Sequence, residues 1–163
     1  MPETSEARIF YANTRFEQLA RQPGGIPREQ ALAAAQVIVD ELKSEFPDWL
    51  DRELQLLKEV LARVEIDLTD NASIEMAYRT CAQLQSVCAA MDYGLVTFVA
   101  ENLCKILSTL MTGAEYDKDI VDCHISALAL AKSDQYRTMR PDQVPEMASG
   151  LRRVVELARR APR

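Results

Sequence analysis

Histidine is the side chain best suited to move a proton near neutral pH, to ligate a metal or to accept a phosphoryl group. This 163-residue chain has one, His124. Asp117, Asp119 and Asp122 precede it, and a second acidic cluster, Asp48, Asp51 and Glu53, follows Pro47. Carboxylates in such groups can divide acid and base roles when their surroundings push their pKa values apart. At the start of a helix, however, acids serve as caps and as partners of the helix dipole, and both clusters sit where helices are expected to begin. Ile120, Ala127 and Leu128 set His124 at or beside an apolar stripe, so the imidazole is expected to be partly buried and hydrogen-bonded to a facing helix. A metal needs three or four ligands in a usable geometry. The chain offers no second histidine, and Cys123 points about 100° away from His124 around the helix axis. Gly24-Gly25 has no lysine partner for a phosphate loop, and no Ser-His-Asp or Cys-His arrangement emerges from the spacing. The expectation is no catalytic residue, no metal and no cofactor, with an enzyme built on His124 as the less favoured alternative.

Two further residue sets could carry recognition or redox chemistry. Cys81, Cys88, Cys104 and Cys123 lie inside apolar periodic stretches, and none forms a Cys-x-x-Cys pair. In a reducing compartment they read as small buried apolar residues. Arg140, Arg152, Arg153, Arg159, Arg160 and Arg163 give the C-terminal stretch a positive balance. Arginines in a last helical turn complement the dipole; the other reading makes Arg152 and Arg153 part of a docking strip for an acidic partner.

The elements that must position these groups are helices. Glycine and proline are few, apolar residues make up 48% and charged residues 27%, and the frequent residue types favour helix. The length suits one domain with a core that needs no staple. The net charge of −6 opposes binding to phosphate backbones, so no nucleic acid is expected. No apolar run approaches the ~20 residues of a membrane span, and MPETSEAR does not read as a secretory signal. The expected location is the cytoplasm, with no membrane partner.

Residues 1–26 read as an aromatic arm carrying Phe10, Tyr11 and Phe16. Thr14 and Glu17 have capping-box spacing, and Pro23-Gly24-Gly25 forms a stop. A helix over 28–45 carries the stripe Leu32, Ala35, Val39, Leu42. Pro47 is expected to end or kink it, pushing Phe46 out of helical dihedrals. The stripes Leu50, Leu54, Leu57, Leu61, Val64 and Ala77, Cys81, Leu84, Cys88, Met91 alternate by three and four, as antiparallel bundle packing requires. Asp70 and Asn71 offer N-caps, Asp92 a cap for the helix after Gly94, and Gly113 a C-terminal stop. The fold class is all-α: an antiparallel four-helix bundle core of helices over 48–66, 71–91, 95–112 and 115–136. Additional N- and C-terminal helices, 28–45 and 145–160, flank it. One domain is expected over 1–163, with 27–136 as the bundle and 140–163 as the C-terminal helix.

The stretch from Ser73 to Leu110 resembles a histidine-phosphotransfer (Hpt) domain of bacterial phosphorelays. Gly94-Leu95 resembles that family's turn between two antiparallel helices, and Ala100-Glu101-Asn102-Leu103-Cys104-Lys105 its second helix. Ala82-Gln83-Leu84-Gln85-Ser86 stands where the histidine motif belongs, in a register fixed to within one or two residues. Glutamine has no nucleophilic ring nitrogen, so the resemblance implies a relative that keeps the docking surface and lacks the transfer reaction. Its implied function is a non-catalytic signalling adaptor. The partner would be a receiver or kinase domain of a two-component or chemotaxis system, bound through Arg79, Gln83 and Ser86. A homodimer or larger structural bundle, with the aromatic arm exchanged between subunits, is the alternative.

Overall fold

The computed structural model of the chain describes residues 24–160, the Arg160 side chain excepted. The expected aromatic arm, its capping box and Arg163 therefore lie outside the described residues. Among the described residues five α-helices follow in order: α1 Arg28–Ile66, α2 Asn71–Ala90, α3 Gly94–Met111, α4 Lys118–Ala131 and α5 Pro145–Arg160, with a 3-10 turn over Pro141–Gln143 before α5. Among the described residues there is no strand, so the fold is all-α. Two compact units divide the chain, Met1–Leu42 and Lys43–Arg163. In the smaller unit every described residue from Gly24 to Leu42 is exposed.

Helix α1 corrects the expectation for Pro47. The helix runs through the proline without interruption, and Phe46 is helical and buried. Proline removes the N–H that would have bonded the Lys43 carbonyl, and its ring crowds that turn. Side-chain packing next to it offsets the loss. The Phe46 ring stacks on Trp49 at 5.3 Å between centroids and meets Tyr93 edge-on at 4.7 Å, and Leu50 one turn on is sealed in the core.

The larger unit is organised around α3. Its stripe of Leu95, Val96, Val99, Leu103 and Leu107 is fully buried, and α2, α4 and α5 all pack on it. By length and composition α3 could also cross a membrane. Here most of that apolar surface faces neighbouring helices. Leu50, Leu54, Leu57, Leu61 and Val64 of α1 enter the same core. Lys118 pairs with Glu65 near the end of α1, and Lys132 pairs with Asp51 further up it, so α1 and α4 run antiparallel.

Helix ends show which local signals decide. Asp70 caps α2, its carboxylate accepting from the Ala72 and Ser73 N–H groups at 3.1 and 3.2 Å and from the Ser73 hydroxyl at 2.5 Å. Gly113 closes α3 in the left-handed region at φ 89°, with the Gly113 and Ala114 N–H groups donating to Leu110 and Thr109. The same double closure ends α2, but the left-handed residue is Asp92 at φ 61°, with Asp92 and Tyr93 donating to Ala89 and Cys88. Asp92 thus ends one helix and does not cap the next: the N-cap of α3 is Tyr93, with no side-chain bond. Helix α4 is shorter than expected, stopping at Ala131. Beyond it the Ser133 hydroxyl donates to the Leu130 carbonyl and turns replace helix through Thr138; serine and aspartate side chains compete well for such carbonyls and N–H groups.

The Asp70 cap has a testable consequence. Its hydrogen bonds from Ser73 hold the carboxyl below the ordinary carboxylate range. Stability from this cap is present above the unfolded value near pH 4 and is lost as pH falls from there through the lower value of the folded chain. Asp70→Ala is expected to lower the melting temperature by a few degrees at pH 7, and that gap should narrow in melts below about pH 4.

Candidate functional site

The residues singled out for partner binding stand on the outer face of α2. Ala77, Cys81, Leu84 and Cys88 turn inward and are fully buried. That orientation leaves Glu75, Arg79, Gln83 and Ser86 exposed at four- and three-residue intervals. The Arg79 side chain is 76% exposed and its guanidinium bonds Glu75 at 2.5 Å. The Ser86 hydroxyl is turned back onto the Ala82 carbonyl at 3.0 Å, which flattens the face one turn from Gln83.

Register sets this face and one of the C-terminal arginines at a common level along α3, with no contact between α2 and α5. The Cys81 thiol donates to the Ala100 carbonyl at 3.3 Å. In an antiparallel pair that contact sets Gln83 level with Phe98 of α3. Arg152 of α5 lies over the Phe98 ring, 5.1 Å from its centroid, a cation–π geometry. Gln83 and Arg152, from distant parts of the sequence, therefore share one level of α3. Arg153 is exposed on the next position around α5, and neither its sequence position nor its contacts bring it to Phe98.

His124 has no solvent exposure. With Val121, Leu128 and Ala131 it forms the inward stripe of α4. Its Nδ1–H donates to the Ile120 carbonyl at 2.8 Å. The expected bond to a facing helix is thus replaced by one within its own helix, because the stripe aims the imidazole into apolar neighbours. The other ring nitrogen, Nε2, is buried with no hydrogen-bond partner. Burial pushes the His124 pKa below its ordinary value, against the opposing pull of the Ile120 carbonyl. The acids before it are spent locally: Asp117 caps α4 through the Ile120 N–H at 3.2 Å, and Asp122 joins the Lys118–Glu65 pair. Among the described residues no group of three or more His, Cys, Asp or Glu could hold a metal.

The cysteines divide three to one. Cys81, Cys88 and Cys104 are buried, while Cys123 is exposed, a correction to the reading of all four as core. It lies one position from His124, about 100° around the helix axis and off the buried stripe. A hydrogen bond with Cys104, together with burial, raises the Cys81 thiol, and the same bond lowers that of Cys104. Burial alone pushes Cys88 up to about 12. Cys81 and Cys88 are therefore unreactive thiols at neutral pH.

One feature escaped the sequence reading. A cleft of about 580 Å³ opens between α3, the start of α4 and the end of α5, lined by Ile106, Leu110, Tyr116, Lys118, Val154 and Leu157 among others. Burial raises the Tyr116 phenol, and Lys118 there is held charged by Glu65 at 2.6 Å. The half-polar turn 112–117 was the only signal, and it reads as an ordinary connection. No family model, curated protein or solved structure matches the chain.

Proposed function

We propose that the chain is a non-catalytic signalling adaptor that resembles a histidine-phosphotransfer domain without its histidine. It docks on a receiver or kinase domain of a two-component or chemotaxis system, in the cytoplasm of a bacterium. The finer architecture that goes with this reading is an antiparallel four-helix bundle made by the second half of α1 with α2, α3 and α4, and flanked by α5. The observation that carries the proposal is the position of Gln83. It stands exposed on the outer face of α2, between Arg79 and Ser86, where the resemblance puts a phosphoacceptor.

The surface has what docking needs. It is shallow, with small residues around Gln83 that let a partner backbone approach, and a charged rim that sets specificity. Arg152, held over the Phe98 ring, supplies a fixed cation for an acidic partner surface, and Arg153, exposed beside it in the chain, is the second arginine of the proposed strip. Gln83 can donate and accept hydrogen bonds but has no ring nitrogen to phosphorylate. The one imidazole of the chain is sealed in the core and cannot substitute for it.

The test is a pull-down against a set of purified bacterial receiver and kinase domains, followed by titration of any domain retained. Arg79→Glu and Gln83→Ala are each expected to weaken binding by roughly tenfold, the ~1.4 kcal/mol of a side chain at the centre of an interface. Retention of no domain, or variants that bind as tightly as the parent, removes the proposal.

A further inference from the structure

We infer that Cys81 and Cys104 form an oxidation site, in which a hydroperoxide converts the two thiols into a disulfide between α2 and α3. The Cys81 thiol reaches the Ala100 carbonyl at 3.3 Å. Within α3 that carbonyl also receives the Cys104 N–H, so the Cys81 sulfur lies against the backbone of Cys104. With Cys81 level with Ala100, Cys104 sits one turn farther from the connection between the helices. Helical side chains lean toward the N-terminus of their own helix. In this antiparallel pair Cys81 and Cys104 therefore lean toward each other, and their thiols share a hydrogen bond. Ala77 and Ala100, both fully buried, flank the pair and let the helices draw in to the short Cβ separation that a disulfide needs. Cys88 lies seven residues beyond Cys81, about 10 Å along the axis and in the direction away from Cys104.

The two thiols differ in access. Cys81 has no exposed surface, whereas Cys104 is 8% exposed and borders the outer face of α3 beside Lys105 and Ser108. The bond from Cys81 also holds the Cys104 thiol below its ordinary value, which enlarges its share of thiolate, the nucleophilic form. Cys104 is therefore the sulfur that meets the oxidant. It attacks one peroxide oxygen: an S–O bond forms, the O–O bond breaks, and the departing oxygen leaves as water or an alcohol with the Cys104 proton. The Cys81 sulfur then attacks the resulting sulfenic acid. The S–S bond forms, the S–O bond breaks, and water leaves with the Cys81 proton. The thiols give up two electrons and the hydroperoxide accepts them. Cys81 is inert toward reagents in solution, but its target is already beside it. The Ala100 carbonyl loses the Cys81 thiol and keeps the Cys104 N–H, so the bond disturbs little around it. It staples the hairpin that presents Gln83, and it stands whether or not that residue docks a partner.

The test begins from the full chain with the exposed Cys123 replaced, Cys123→Ala, to prevent links between chains. The folded protein is treated with hydrogen peroxide at neutral pH and cleaved after glutamate without reductant, which separates Cys81 in peptide 76–101 from Cys104 in peptide 102–115. The expected product is these two peptides joined, two hydrogens lighter than their sum and released by dithiothreitol. The link should survive Cys88→Ala and vanish in Cys81→Ala and in Cys104→Ala. Cys81→Ala should leave a sulfenic acid on Cys104 that dimedone traps, and Cys104→Ala should leave Cys81 unoxidised. The linked chain should unfold at a higher denaturant concentration than the reduced one. A chain that keeps its native melt and all its free thiols after peroxide overturns the proposal, as does a link that forms only in denaturant or runs through Cys88. Dimedone capture at Cys81 in place of Cys104 overturns the assigned order of attack.

Discussion

Leu103→Ala is expected to lower the stability of the larger unit by about 2–5 kcal/mol, the range for a buried leucine whose neighbours cannot fully close the space left behind. Leu103 has no exposed surface and lies at the middle of α3, the helix on which α2, α4 and α5 all pack. Collapse to fill the void would have to draw on several helices at once, and some of them are held elsewhere. Lys118 and Lys132 tie α1 to α4, and the Phe46–Tyr93 contact ties α1 to the turn before α3. Chemical denaturation checks this: the midpoint should fall sharply with the slope unchanged. A loss below about 1 kcal/mol would mean that α3 is not the centre of the core.

His124→Leu is expected to do the reverse and stabilise the protein. The substitution removes a buried acceptor, Nε2, that has no donor, a defect worth about 1–3 kcal/mol. It also removes the bond to the Ile120 carbonyl. That carbonyl still receives the backbone N–H of residue 124 in the helix, so the loss is small. The net gain expected at pH 8 is about 1 kcal/mol. The pH dependence is the sharper signature. Burial depresses the pKa of His124 in the folded chain, while in the unfolded chain it returns to about 6.5. The unfolded state therefore binds more protons below that pH. The parent protein loses stability as pH falls through about 6.5, with a slope no steeper than the ~1.4 kcal/mol per pH unit of one proton. The leucine variant should lack this component, so its advantage grows between neutrality and the onset of carboxylate titration. Denaturation midpoints of the two proteins that run parallel from pH 8 to pH 5 would show that the imidazole is not sealed in.

What the sequence made legible follows from which forces act locally. The inward faces of α2 and α3 could be read because burial repeats with the helical period, and each of Ala77, Cys81, Leu84 and Cys88 is sealed. The Asp70 cap and the Gly113 stop were readable because one side chain, or its absence, decides each. The place where α2 ends was readable too, but not the residue that closes it. Asp92 looked like a cap for the next helix, yet it takes the left-handed conformation that closes α2. Gly94 opens α3, where a Cβ would come within 3.6 Å of the Met139 carbonyl and the Arg140 side chain. Pro47 was misread for a related reason. Its local cost is visible in the sequence, but the ring contacts of Phe46 that offset it involve Tyr93, far along the chain. The position of Arg152 over Phe98 was out of reach altogether, since it depends on how α5 crosses α3.

The hairpin of α2 and α3 has a consequence for the order of events in folding. Its two helices form the most extensive contact among α2 to α5, and only the residues from Met91 to Tyr93 separate them in the chain. Closing so short a loop sacrifices little chain entropy before the contacts begin to repay it. This pair is thus the part of the molecule able to condense first, within a helical topology whose other partners arrive from further away. The platform that would carry Gln83 is then in place before α5 docks and brings its arginine. Folding mutants should separate accordingly, with changes at Cys81 or Leu84 slowing refolding and changes on α5 mainly hastening unfolding.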